Sequence, residues 1–214
     1  MKTCLRLSSL LLFSWLLSCN NPYKNLIKEN APSFSALSYK PEYDKALYRC
    51  HVNGKFLFKK FHLSGLLFFK KTTTTTHVVF QNEMGISFFD FEWDAQDRFK
   101  VNQIIPQLDK PAVIKILRKD LQLFLMIGLN EKTEQQFQKD GFTYNRFDME
   151  KGNAYYLFKD HHLTTIEAAG KTKVTTITLG AKATKKSLPE TSLFKHHKAN
   201  FTIELQKIET NADE

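Results

Sequence analysis

The chain has 214 residues, 42% of them hydrophobic, a formal net charge of +9 and three cysteines. That length suits one domain with a core of its own. The basic balance raises nucleic acid as a partner class. No dense basic cluster appears, however, so scattered solvating lysines are the better reading and no nucleic-acid partner is expected.

The N-terminus reads as an address. Lys2 and Arg6 make a basic start, and Leu10–Leu17 make an apolar stretch. That stretch is shorter than the ~20 residues a membrane span requires. Small Ser18 precedes Cys19, and residues 1–18 are expected to be a secretory signal. Leu16-Leu17-Ser18-Cys19 resembles the lipobox of bacterial lipoproteins. The resemblance implies that Cys19 becomes the first mature residue and carries a covalent diacylglycerol or acyl lipid. No other cofactor is expected. Two or more acyl chains give stable anchoring, which makes the membrane a partner. Cys4 leaves with the signal, so Cys50 stands alone and no intramolecular disulfide is available. Cys50 reads as a small apolar residue of a strand. No acidic run follows Cys19; such a run resembles the surface-export signal of Bacteroidetes-type lipoproteins. Its absence places the expected location on the periplasmic face of the outer membrane.

Residues 19–44 read as a lipidated N-terminus and tether, with Pro22, Pro32 and Pro41 among Asn, Lys and Ser. A short helix over 23–30 or a strand over 34–39 is the alternative there. A domain is expected over 45–208, with a polar tail at 209–214. "LYRCHVNGKFLFKKF" (47–61) reads as extended, with Val52, Phe56 and Phe58 on one face. "SGLLFFKK" (64–71) and "HVVFQN" (77–82) follow as strands, and the five threonines at 72–76 extend their hairpin. "ISFFDFEW" (86–93) alternates, with Phe89, Phe91 and Trp93 on one face and Asp90 and Glu92 on the other. Glu83-Met84-Gly85 reads as the turn before it.

The period then changes. A short helical segment is expected over 102–108 and a longer helix over 110–126, capped by Asp109 with Pro111 in its first turn. Val113, Leu117, Leu121 and Leu125 recur every four residues, with Ile114 and Phe124 beside them. Lys115, Arg118, Lys119 and Gln122 take the opposite face. Residues 130–141 read as a surface helix ended by Gly141, or a loop. Strands resume over 142–149, 153–159, 163–169, 172–180 and 199–208. Strands, then helices, then strands predict an α+β fold: a large curved antiparallel sheet with helices on one face.

No motif for catalysis emerges. The chain has no G-x-G-x-x-G, Walker loop, G-x-S-x-G or H-E-x-x-H. His161-His162 and His196-His197 are adjacent pairs, and neighbours on a strand point to opposite faces, so neither pair reads as a metal site. They read as exposed loop histidines. Asp90 and Glu92 share a strand face and could do acid/base work. The alternation explains them better as the solvated side of a half-buried strand. No catalytic and no metal-ligating residue is therefore assigned. Phenylalanine is the oddity of composition, at 19 of 214 residues. An aromatic-faced curved sheet under an amphipathic helix can enclose an apolar ligand, and the same pattern describes a filled core.

The order of elements resembles the LolA/LolB lipoprotein-carrier superfamily. The residues concerned are Cys19, "HLSGLLFFKK" before "HVVFQNEMGISFFDFEW", the mid-chain helices, and "SLPETSLFKHHKANFTIELQKI" at the end. The chain is also similar to outer-membrane lipoproteins of Bacteroidetes-type bacteria. The superfamily resemblance implies an unclosed β-barrel with a helical lid, two closing strands after Leu188-Pro189, and no enzymatic activity. It implies that the partners are acyl chains of lipids or lipoproteins, on the way to the outer membrane. The candidate lining is Phe58, Leu67, Phe69, Phe89, Phe91 and Trp93 of the sheet, with Val113, Leu117, Leu121 and Phe124 of the helix. In LolB-like proteins a protruding loop with an apolar residue delivers cargo; the matching hairpin here, Lys70–His77, holds only lysines, threonines and a histidine. The alternative is a solid-core domain that holds other envelope proteins while tethered at Cys19.

Overall fold

In a computed structural model the described residues are 22–56 and 59–208. The expected signal, Cys19, Phe58 and the polar tail lie outside them. Period-two alternation dominates what is described, and the strands it makes form one sheet. In chain order they are β1 (Ile27–Lys28), β2 (Lys45–Phe56), β3 (Lys59–Lys71), β4 (Thr75–Gln81), β5 (Ser87–Asp94) and β6 (Phe99–Ile104). A helix, α1 (Pro111–Leu125), separates these from β7 (Gln135–Lys139), β8 (Phe142–Asp148), β9 (Asn153–Lys159) and β10 (His162–Ala169). The last three are β11 (Lys173–Leu179), β12 (Thr191–His196) and β13 (Phe201–Lys207).

Among the described residues these thirteen strands lie in the order β1-β7-β8-β9-β10-β11-β12-β13-β2-β3-β4-β5-β6. Every pairing is antiparallel. The edges, β1 and β6, do not pair with each other, so the sheet curls without closing. Inward side chains of β3, β4 and β5 share one core with those of β8, β9, β10, β12 and β13 and with the end of α1. This is the α+β architecture expected: a curved, unclosed antiparallel sheet with a mid-chain helix. In β5 the alternation reads directly as burial: Phe89 is 4%, Phe91 0% and Trp93 1% exposed, while Asp90 and Glu92 face out. At Gly65 of β3 the Gln81 carbonyl passes so close that an added Cβ would meet it at 2.0 Å. Only glycine allows the two strands that approach.

Several local expectations are corrected. Residues 102–104 belong to β6, because Val101 and Phe99 pair with Phe91 and Trp93 of β5 and this edge captures the segment before a helix can start. Residues 131–133 make one 3₁₀ turn capped by Asn130, and β7 follows at once, so no helix runs over 130–141. The helix N-cap is Lys110, without a side-chain cap bond, rather than Asp109. β12 escapes a period-two reading because its inward positions are Ser192, Phe194 and His196.

Residues 22–44, read above as a tether, are fastened along the sheet. β1 pairs with β7, Ala36 is 0% exposed, and Ala36–Tyr39 is a 3₁₀ turn rather than a strand. Glu134 accepts from the Ala36 amide at 2.7 Å and from the Ser35 hydroxyl at 2.6 Å, and Gln136 accepts from the Ser33 amide at 2.8 Å. The reason lies in β9, "NAYYLFK", whose apolar residues occupy both faces. Its outward Tyr155 and Leu157 need cover, and Tyr23 and Leu26 supply it; Tyr23 stacks on Tyr155 at 4.0 Å.

Candidate functional site

α1 is built in two halves. Its C-terminal half points into the core: Leu121, Leu123, Phe124 and Leu125 are all at most 6% exposed. The Phe124 ring lies 5.8 Å from Phe69 and 5.3 Å from Phe194. The Tyr156 hydroxyl donates to the Leu123 carbonyl at 3.0 Å. Burial of each such side chain contributes about 1.5–3 kcal/mol.

Asp120 enters the same interior and is 2% exposed. His196 Nε2 lies in hydrogen-bond contact with its Oδ2 at 2.6 Å, and the Thr175 hydroxyl donates to its Oδ1 at 3.3 Å. The ring of His196 stacks on Phe201 at 4.5 Å. Burial holds the Asp120 carboxyl above the usual carboxylate range, against the opposing pull of His196. His196 is thus a buried partner on β12, not an exposed loop histidine. The sequence signal that could have found it was its place on an inward position of an alternating segment. Thr175 and Asp120 both meet the same imidazole nitrogen, so the cluster ties helix to sheet and lacks the relay geometry of a nucleophilic triad.

The candidate lining residues divide along these halves. Leu67, Phe69, Phe89, Phe91, Trp93, Leu121 and Phe124 are brought together in one cluster, and none is more than 6% exposed. Phe89 stacks on Phe91 at 4.4 Å, and Trp93 meets Phe99 at 5.2 Å. Their own side chains fill the space they enclose. Leu117 is half-buried against this cluster, and Val113 is half-buried outside it. Phe58 lies outside the described residues.

The open space lies on the other side of the helix. A cleft of about 630 Å³ runs along it from Pro111 to Leu123 and on to Leu129. Its apolar lining is Phe99 at the β6 edge, Ile114 of α1, Leu129 after the helix and Met149 in the turn between β8 and β9, and where it meets the core it reaches the buried Leu123 and Ile127. Lys115, Arg118, Lys119 and Gln122 form the polar flank on α1; Asp148 and Glu150 stand on the turn. The Arg118 guanidinium sits over the Phe99 ring at 4.9 Å. Partial burial, then the like charges of Lys115, Lys151 and Arg118, hold the Lys119 ammonium below its usual range, with Glu150 opposing. Sequence reading put these cations on the solvent face. What it missed is the turn at 148–150 that stands across the cleft from them.

The remaining singled-out groups lie elsewhere. His77 sits 3.7 Å from Asp90 and 3.6 Å from Glu92 on the outer face of the sheet. The 72–76 hairpin is tied by the Thr72 hydroxyl, which accepts from the Thr75 amide at 3.0 Å. It borders a hollow of about 220 Å³ with Lys40, Tyr43 and Ile127. Cys50 is 2% exposed, and burial pushes its thiol up to about 12. Among the described residues no group of three or more His, Cys, Asp or Glu could hold a metal ion.

No family profile matches the chain, and no curated protein matches it. Among solved structures it is similar to a putative outer membrane lipoprotein-sorting protein domain from Vibrio parahaemolyticus, at 10% identity over 81% of this chain and 87% of that one, with a TM-score of 0.47. It is similar to a LolA superfamily protein from Nitrosomonas europaea, at 7% identity over 83% and 93% of the two chains, TM-score 0.45. A DUF1329 family protein from Desulfovibrio piger is similar at 8% identity over 84% and 91%, TM-score 0.43.

Proposed function

We propose that the protein is a non-enzymatic lipoprotein that binds acyl chains of lipids or lipoproteins in the cleft along α1. Acyl chains on Cys19 would hold it at the periplasmic face of the outer membrane, where it would take part in lipid or lipoprotein transport. The observation that carries the reading is the cleft itself. At about 630 Å³ it falls within the range of small-molecule sites, and an apolar strip of Phe99, Ile114, Leu129 and Met149 runs between a basic flank on α1 and the two carboxylates of the turn. Each methylene moved from water onto that lining contributes about 0.8 kcal/mol. The inward aromatic residues of the sheet support the helix from beneath.

A second reading has its own observation. Phe69 and Phe91 are 0% exposed, so the inner face of the sheet is a packed core, as a domain that only docks other envelope proteins would have. Native mass spectrometry of the purified protein separates the two. A carrier retains acyl lipid or takes up an added acylated peptide, and Ile114→Glu abolishes this; a clean apo mass with no uptake sinks the carrier reading. Cys19→Ser tests the anchor, and unchanged membrane fractionation would overturn it.

A further inference from the structure

We infer that the cleft along α1 takes an amphiphile with an anionic head, its chain lying on Ile114, Leu129 and Met149 and its phosphate or carboxylate held by Lys115, Arg118 and Lys119. The inference rests on the acyl-binding reading above and adds the chemistry of the head group. Three observations carry it. First, the cations sit at spacings of three and four residues on a helix, which stacks them in one stripe facing one side of the cleft. Second, among the described residues none of the three has a carboxylate at ion-pair distance. Elsewhere such pairs form: Arg98 with Asp94, Lys186 with Glu42, Lys207 with Glu190. Of the two carboxylates across the cleft, Asp148 is already paired with Arg146 at 3.3 Å, and Glu150 is exposed on the turn.

Third, this charge works against the helix that carries it. Like charges one turn apart destabilise a helix by a few tenths of a kcal/mol per pair. The first turn of the helix holds no acidic residue to offset them. A concentration of unpaired positive charge beside an apolar cleft is complementary to one class of occupant: apolar along its length and negative at one end. A neutral acyl chain would leave the cations idle, and a free anion would leave the apolar lining wet.

The test uses the full chain in a non-ionic detergent, with native mass spectrometry as readout. Monoacyl phosphatidylglycerol and monoacyl phosphatidylcholine of equal chain length are offered together, and inorganic phosphate is offered alone. The expected result is a preference of about tenfold for the anionic lipid, the scale of three partly exposed ion pairs. Lys115→Gln/Arg118→Gln/Lys119→Gln should erase that preference and leave binding of the zwitterionic lipid intact. If the triple variant loses its circular dichroism, Arg118→Gln alone should still reduce the preference at least twofold. Lys195→Gln, on the outer side of β12, should leave the preference unchanged. Equal binding of both lipids overturns the head-group assignment alone. Binding of neither overturns it together with the acyl-binding reading. Phosphate binding as tight as the anionic lipid, insensitive to Ile114→Glu, makes this a simple anion site and overturns the amphiphile.

Discussion

The two halves of α1 have nearly the same sequence texture and opposite structural fates. Val113 and Leu117 repeat the four-residue spacing that Leu121 and Leu125 continue. Only the latter two are buried: Leu121 is 6% and Leu125 3% exposed, while Val113 and Leu117 stay half-buried. The C-terminal half is locked by aromatic packing and by Asp120; the N-terminal half is a wall with open space beside it. A helix can therefore be structural at one end and available at the other. The apolar period says only that one face prefers to leave water, not what will cover it.

The comparison breaks most sharply at Asp120. Asp120→Ala leaves buried His196 with Thr175 as its remaining partner, and loss of one member of such a buried hydrogen-bonded pair costs about 3 kcal/mol. Urea unfolding followed by circular dichroism should show a much lower midpoint with an unchanged slope. The double change Asp120→Leu/His196→Phe should restore much of that loss, because apolar side chains that replace both partners of a buried hydrogen bond leave no polar group unsatisfied. If the single change cost under about 1 kcal/mol, the locked half of the helix would not be locked by this pair.

Next comes a matched truncation in each half. Phe124→Ala opens a hole between Phe69 and Phe194 and should cost about 3–5 kcal/mol. Ile114→Ala removes a side chain already half in solvent and should cost under about 1.5 kcal/mol while weakening acyl-probe uptake. Equal costs at the two positions would remove the distinction drawn here. Equal losses of uptake would mean that ligand reaches the core.

How much of this was legible beforehand follows the range of the interactions. β5 was plain, because alternation in "FFDFEW" is a property of adjacent residues. The curved unclosed sheet and its mid-chain helix followed from the order of elements. The strap at 22–44 was not legible: its Ser33–Gln136 bond spans 103 positions, and proline with serine reads locally as loop whether or not a distant strand holds it. The partner of His196 lies 76 positions away on α1, so the pair of adjacent histidines looked like surface. The segment 102–104 was misread because Val101 and Ile104 also fit a helical period, and only the waiting edge of β5 decides between them. At the candidate site, the cationic stripe was visible as a helix face. The cleft was not, because its second wall comes from the turn at 148–150 after β8.

The finest expected effect is an absence of change, and Cys50 reports it. Its thiol is buried and pushed up from the ordinary value of 9.0 to about 12. The unfolded chain ionises near 9 while the native one does not, so the stabilising contribution of the protonated thiol is whole below about pH 9 and falls away as pH rises toward 12. At pH 8 the native thiol is both neutral and covered, so a thiol reagent should modify it only through opening of the core. Peptide mass spectrometry can read Cys50 apart from other cysteines. An acyl chain lying in the cleft leaves the packing of Phe124 on Phe69 in place, so saturating lipid should leave the Cys50 rate within about twofold, or slow it slightly by stabilising the native state. An acyl chain that entered beneath the helix would have to displace Phe124 from Phe69, open the core around β2 and β3, and raise that rate several-fold. The rate of one buried thiol, with and without lipid, thus decides which side of the helix the ligand occupies.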